Sequence, residues 1–182
     1  MDGAEDGPRG DLFDLYSLSA LLSVSRNDVA AGLTAASRSI AALEPTSKVT
    51  FVLPGIQIGL AAMCLLFARR DSQAEAVAQK ALTLAEHFAR TMPIGAPMHL
   101  YLLGCWQHYE GHPAKARQTL QRAAQAAAAF EMDYEQALIR DALAEIAGSW
   151  QDRTAHIATR QDALFRIEVQ DLKVRPMLGP PR

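Results

Sequence analysis

The sequence predicts an all-α protein, a solenoid of about four antiparallel helical hairpins with a period of about 42 residues. Three observations carry that prediction. First, Ala74, Ala78, Ala81, Ala85 and Phe88 step by four, three, four and three, and Ala116, Leu120, Ala123, Ala127 and Phe130 repeat the step 42 residues later. Alternating fours and threes mark one face of a 3.6-residue helix. Second, each stripe follows another apolar segment of helix length, as a helical-hairpin repeat requires. Third, the stripes are rich in alanine, which lets stacked helices approach closely. The same step is expected at Ala158, Asp162, Phe165, Val169 and Leu172, a further 42 residues on. It is also expected upstream, at Val29, Leu33, Ala36, Ile40 and Leu43.

The elements follow in order. Residues 1–10 carry three glycines and a proline and read as a disordered leader. A first helix is expected over Asp11–Val24, and Asn27 or Asp28 caps the second, which runs to Leu43. Glu44-Pro45-Thr46-Ser47 breaks the chain before a third helix over Pro54–Arg69. Ser72-x-x-Glu75 is a capping box that opens the fourth, through Arg90. Met92–Pro97 punctuates, and Met98–Glu110 forms the fifth. In Gly111-His112-Pro113 the glycine follows one helix end and the proline opens the sixth helix, which runs to Phe130. Asp133-x-x-Gln136 caps the seventh, ending near Gly148, and Asp152 or Thr154 starts an eighth that ends near Leu172. The repeat domain thus covers 11–172, and 173–182 is a flexible proline-rich tail.

Composition narrows the function classes. Eighteen basic against twenty acidic residues predict no attraction to nucleic acid or anionic lipid. Lys115, Arg117, Arg122, Arg140, Arg153 and Arg160 lie among acidic neighbours and read as a solvated face, so direct nucleic-acid binding is not expected. Cys64 and Cys105 each fall in an apolar stretch and read as two buried free thiols. The first residues lack a signal-peptide pattern, and a cytoplasmic protein is expected. Val49–Ala68 is uncharged, and Gly55-x-x-x-Gly59 is a packing pattern of membrane helices, but Pro54 shortens the helical part. A central covered helix explains it better than a membrane span.

At Leu100-x-x-Leu103-Gly104-x-x-Gln107-x-x-x-Gly111-x-x-x-x-Ala116-x-x-x-Leu120-x-x-Ala123 the chain resembles a tetratricopeptide repeat. Gln107 departs from the tyrosine preferred there, Pro113 lies in the turn, and the period exceeds the roughly 34 residues usual for that family. Longer repeats with a Tyr-Glu pair opening a helix, here Tyr134-Glu135, resemble the repeat region of MalT-like bacterial regulators. The resemblance implies a right-handed α-solenoid whose inner helices line a groove. Carried over position by position, that groove would include Met98, Tyr101, Cys105, His108 and Tyr109, with Met63, Leu66 and Phe67 in the preceding hairpin.

No phosphate-binding loop, nucleophile elbow or Ser/His/Asp cluster occurs, so neither an enzyme nor a cofactor is expected. His108 and His112 stand four apart, but Gly111 and Pro113 break the helix between them, and no metal site is expected. Glu131, Asp133 and Glu135 straddle a helix junction and complement the next helix N-terminus. The expected function is a protein-binding module, either a scaffold or the sensing part of a regulator, that takes a peptide or helix of another protein. The alternative is a structural module that pairs with a second copy of itself through an apolar repeat face around Ile56–Phe67.

Overall fold

Between turn residues the described chain is helical throughout. The computed structural model describes residues 9–43, 52–70, 72–168 and Leu178, and no strand occurs among them. The helices are α1 (Arg9–Ser25), α2 (Val29–Leu43), α3 (Val52–Arg69), α4 (Ser72–Thr91), α5 (Ala96–Tyr109), α6 (Pro113–Ala129), α7 (Asp133–Glu145) and α8 (Trp150–Arg166). A single 3-10 turn, Pro93–Gly95, leads into α5. Residues 1–8 of the expected leader, Val169 and Leu172 of the last expected stripe, and the tail except Leu178 lie outside the described residues.

Three of the helix ends close in the same way. At the end of α1 the N–H of Asp28 donates to Ser23 and that of Asn27 to Val24. His112 to Gln107 with Gly111 to His108, and Met132 to Ala127 with Glu131 to Ala128, repeat the pattern after α5 and α6. This paired closure requires a left-handed residue, and Asn27, Gly111 and Glu131 all have positive φ (61°, 84° and 55°). Only Gly111 takes that conformation without a Cβ penalty. At the helix starts, the Asp28 carboxylate accepts from the N–H of Ala31 at 3.1 Å, and the Ser149 hydroxyl accepts from Asp152 at 3.1 Å. Ser149 therefore caps α8, in place of the expected Asp152 or Thr154. Asp133 is not a cap either, since α7 begins with Met132 in that position and no side-chain bond.

The chain divides into two compact units, Met1–Ala81 and Leu82–Arg182, with the divide inside α4. In the first unit α1 packs on α2, and α3 packs on both. The buried hydroxyls of Ser17 and Ser39 lie 2.7 Å apart between α1 and α2, and both are within hydrogen-bond reach of the Phe13 carbonyl, at 2.7 and 3.1 Å. In the second unit α5 packs on α6, α6 on α7 and α7 on α8, and α5 also meets α7. Gly104 makes the close approach of α5 to α6, because a Cβ there would lie 2.6 Å from Leu120 Cγ. A buried hydrogen bond from Thr119 to Gln107, 2.8 Å long, joins the same two helices. Gln107 thus keeps a polar partner across the hairpin where the resembled family has a tyrosine.

The expected stripes are buried on α4 throughout, on α6 except for Phe130, and on α2 at Leu33, Ala36 and Ile40. The stripe on α8 needs correction. Ala158, Asp162 and Phe165 face solvent, while Ala163 and Leu164 are buried and His156, Thr159, Arg160 and Ile167 are half-buried. The covered face lies about half a helical turn from the expected one. It matches the α6 pattern at an offset of 40 residues rather than 42, with Ala123 and Ala124 replaced by Ala163 and Leu164. The physical reason is that this face is partly polar, so apolar spacing alone selected the wrong side of the helix.

Candidate interaction surface

Met98, Tyr101, Cys105, His108 and Tyr109 fall on one side of α5, as the helical spacing required, and all five are buried in the second unit. Met63, Leu66 and Phe67 are likewise buried in the first unit, together with Ala61, Ala62, Cys64 and Leu65. The rings of Trp106 and Tyr109 lie 5.8 Å apart and tilted at 39°, a packing contact within α5. These side chains are core, and so is residue range 61–67 of the expected self-pairing face; the Ile56 side chain lies outside the described residues. Both cysteines are free and buried, and burial pushes the Cys64 thiol up to about 12.

Of the basic residues read as a solvated face, Lys115 and Arg122 are exposed, whereas Arg117, Arg140, Arg153 and Arg160 prove to be structural ties, which corrects the expectation for those four. Arg117 of α6 donates to the carbonyl of Ile146 at 2.9 Å, and Arg153 of α8 donates to that of Ala144 at 3.2 Å. Both guanidinium groups thereby cap the C-terminal end of α7, where unsatisfied carbonyls and the helix dipole favour a cation. Gly148 leaves room for the Arg117 side chain, which lies 3.2 Å from where a Cβ would stand. Arg160 pairs with Asp141 at 3.1 Å in a largely enclosed position between α7 and α8. Arg140 meets the His156 ring nitrogen at 3.4 Å. Desolvation holds the His156 pKa below its usual value, and the nearby Arg140 and Arg117 charges add to the effect against Asp152. Arg166, at the far end of α8, donates twice to one Asp133 oxygen. Arg153 near the start of α8 and Arg166 at its end therefore reach opposite ends of α7, so these helices run antiparallel.

The other acidic candidates separate. Glu131 occupies the left-handed turn before α7, Asp133 holds Arg166, and Glu135 is half-buried with its carboxyl pKa raised by desolvation. His108 is buried and His112 exposed, with the Gly111 turn between them. Among the described residues no group of three or more His, Cys, Asp or Glu could hold a metal ion. Among them, too, no helix is long and apolar enough to cross a membrane.

What remains open is the outer face of α8. Trp150 is 76% exposed and Phe165 is 84% exposed, and Ile157 lies between them at 39%. Thr154, Ala158 and Gln161 are exposed in the same row. At 100° per residue these six side chains share one face, and none is charged. Soluble surfaces scatter single apolar residues, whereas here two largely exposed aromatic rings share one helix face, which makes it the candidate surface. The first unit shows a smaller counterpart in Leu15, Leu18 and Leu22, exposed along α1. The spacing of Trp150, Ile157 and Phe165 at seven and eight residues was present in the sequence, but which side of α8 its neighbour covers was not. No family model, curated protein or solved structure matches this chain.

Proposed function

We propose that the chain is a tetratricopeptide-like helical-repeat module that binds another protein and carries out no catalysis. Its hairpins form a right-handed solenoid, and its setting is the cytoplasm. Supporting the architecture are the packing of α1 on α2, α5 on α6 and α7 on α8, and the contacts of α1 with α3 and α5 with α7. The tight fit of Gly104 against Leu120 agrees with the repeat motif that carries the resemblance. The Tyr134-Glu135 opening of α7 favours a regulatory setting, like the repeat region of a MalT-like activator.

The observation that carries the binding function is the uncharged row from Trp150 to Phe165. A flat helix face with two aromatic anchors suits a helix from a partner polypeptide better than an extended strand, because it offers side-chain contacts and no free backbone edge. The α5 side chains first expected to line a groove serve this role through the core that holds α7 and α8 in place.

The test is affinity capture from the native cell with the wild-type chain and with Trp150→Asp combined with Phe165→Asp. Proteins lost with the double variant would identify partners of this face. Recovery of the same set with both, at equal folded content, would refute the assignment.

A further inference from the structure

We infer that the partner helix is α8 of a second copy of this chain, paired antiparallel across a two-fold axis between Ile157 and Ala158. This deepens the proposed function and rests on its assignment of the α8 face. The first argument is the symmetry of the exposed row itself. Trp150 stands seven residues before Ile157, and Phe165 stands seven after Ala158. Thr154 stands three before Ile157, and Gln161 stands three after Ala158. A two-fold axis at that midpoint sets Trp150 against Phe165 of the second copy at both ends, and Thr154 against Gln161 just inside them. Large meets large, and a hydroxyl meets an amide that can both donate to it and accept from it. Ile157 and the small Ala158 meet at the centre, where the helices come closest.

The second argument is charge. The row carries none, so bringing two identical faces together sets no like charges against each other along it. A partner bound by a strongly charged helix would find nothing here to pair with.

The third argument is area. A large aromatic side chain buries about 150–250 Å². At their observed exposure, Trp150 and Phe165 together leave on the order of 300 Å² open on each chain. The four side chains between them add to this, and the two-fold axis doubles it. The area available to the pair is therefore upward of about 600 Å², which places the contact at or below the roughly 1,000 Å² lower end of specific protein interfaces. A pairing of that size predicts a reversible dimer rather than a permanent one.

The experiment uses the full chain. Sedimentation velocity from low micromolar to several hundred micromolar should show a monomer–dimer equilibrium, with self-association at least about tenfold weaker in Trp150→Asp. Ala158→Cys should be joined to its own copy by a short bismaleimide, because that position lies beside the axis. Leu18→Cys, on the exposed face of α1, should not. The native thiols do not interfere, since both are buried. A chain that stays monomeric, a dimer indifferent to Trp150→Asp, or cross-linking at Leu18→Cys in place of Ala158→Cys would each overturn the pairing. Circular dichroism of each variant at low concentration checks that the fold survives. A monomer that still loses captured proteins on Trp150→Asp would overturn the pairing and leave the protein-binding function standing. A chain whose capture and self-association are both indifferent to that change would overturn both.

Discussion

At the scale of single residues, close packing and local charge determine what each position tolerates. Gly104→Ala places a methyl group 2.6 Å from Leu120 Cγ, and Leu120 has no exposed surface into which to move. Overpacking of this kind costs about 1–3 kcal/mol. Alanine regains up to about 1 kcal/mol of helix propensity, so the net effect is a loss, measurable as a lower urea midpoint at unchanged slope. His156 makes a different prediction. Its folded pKa lies below the usual 6.5, so the unfolded chain binds the extra proton first as pH falls. Its contribution to stability is therefore fully present above about pH 6.5 and is lost as pH falls through the folded value. The Tm of the wild type should drop between pH 7.5 and 5.5 by more than that of His156→Gln. Equal drops would assign the acid sensitivity to other groups.

At the scale of elements, helix phase separates covered from open positions. Ala123 is fully buried, whereas Gln125, two residues on, is exposed. Ala123→Leu should destabilise by about 1–3 kcal/mol through overpacking. Gln125→Leu should change stability by less than about 0.5 kcal/mol. Thermal or urea melts compare the two, and similar losses would mean that the phase of α6 is misassigned. The α2, α4 and α6 stripes were legible because alanines and aliphatics mark their covered sides without ambiguity. The covered side of α8 was not, because Arg160 and His156 lie on it and are paired there with Asp141 and Arg140. A polar side chain loses little on burial when its partner is supplied by the neighbouring helix, and that partner is invisible along one chain segment. The same blindness hid the candidate surface. Phe165 reads as core by type, and only the orientation of α8 against α7 turns it outward.

At the scale of the whole molecule, association and stability become linked. If two copies bury Trp150 and Phe165 against each other, mass action stabilises the folded state as concentration rises. The wild-type Tm should increase across a hundredfold range of protein concentration, and that of Trp150→Asp should stay constant. Because Trp150 is mostly exposed within one chain, the two proteins should melt alike at the lowest concentration. A concentration-independent wild-type Tm would disprove the linkage.

The two thiols give this molecule a pair of internal clocks. Cys64 belongs to one compact unit and Cys105 to the other, and both are shut away from solvent while the chain is folded. A thiol reagent can therefore modify each only when its surroundings open, and the labelling rate reports how often that happens. Matching opening free energies at the two positions would show that the chain unfolds as one cooperative body. A lower value at one of them would show that its unit opens alone, and would identify which half of the molecule gives way first.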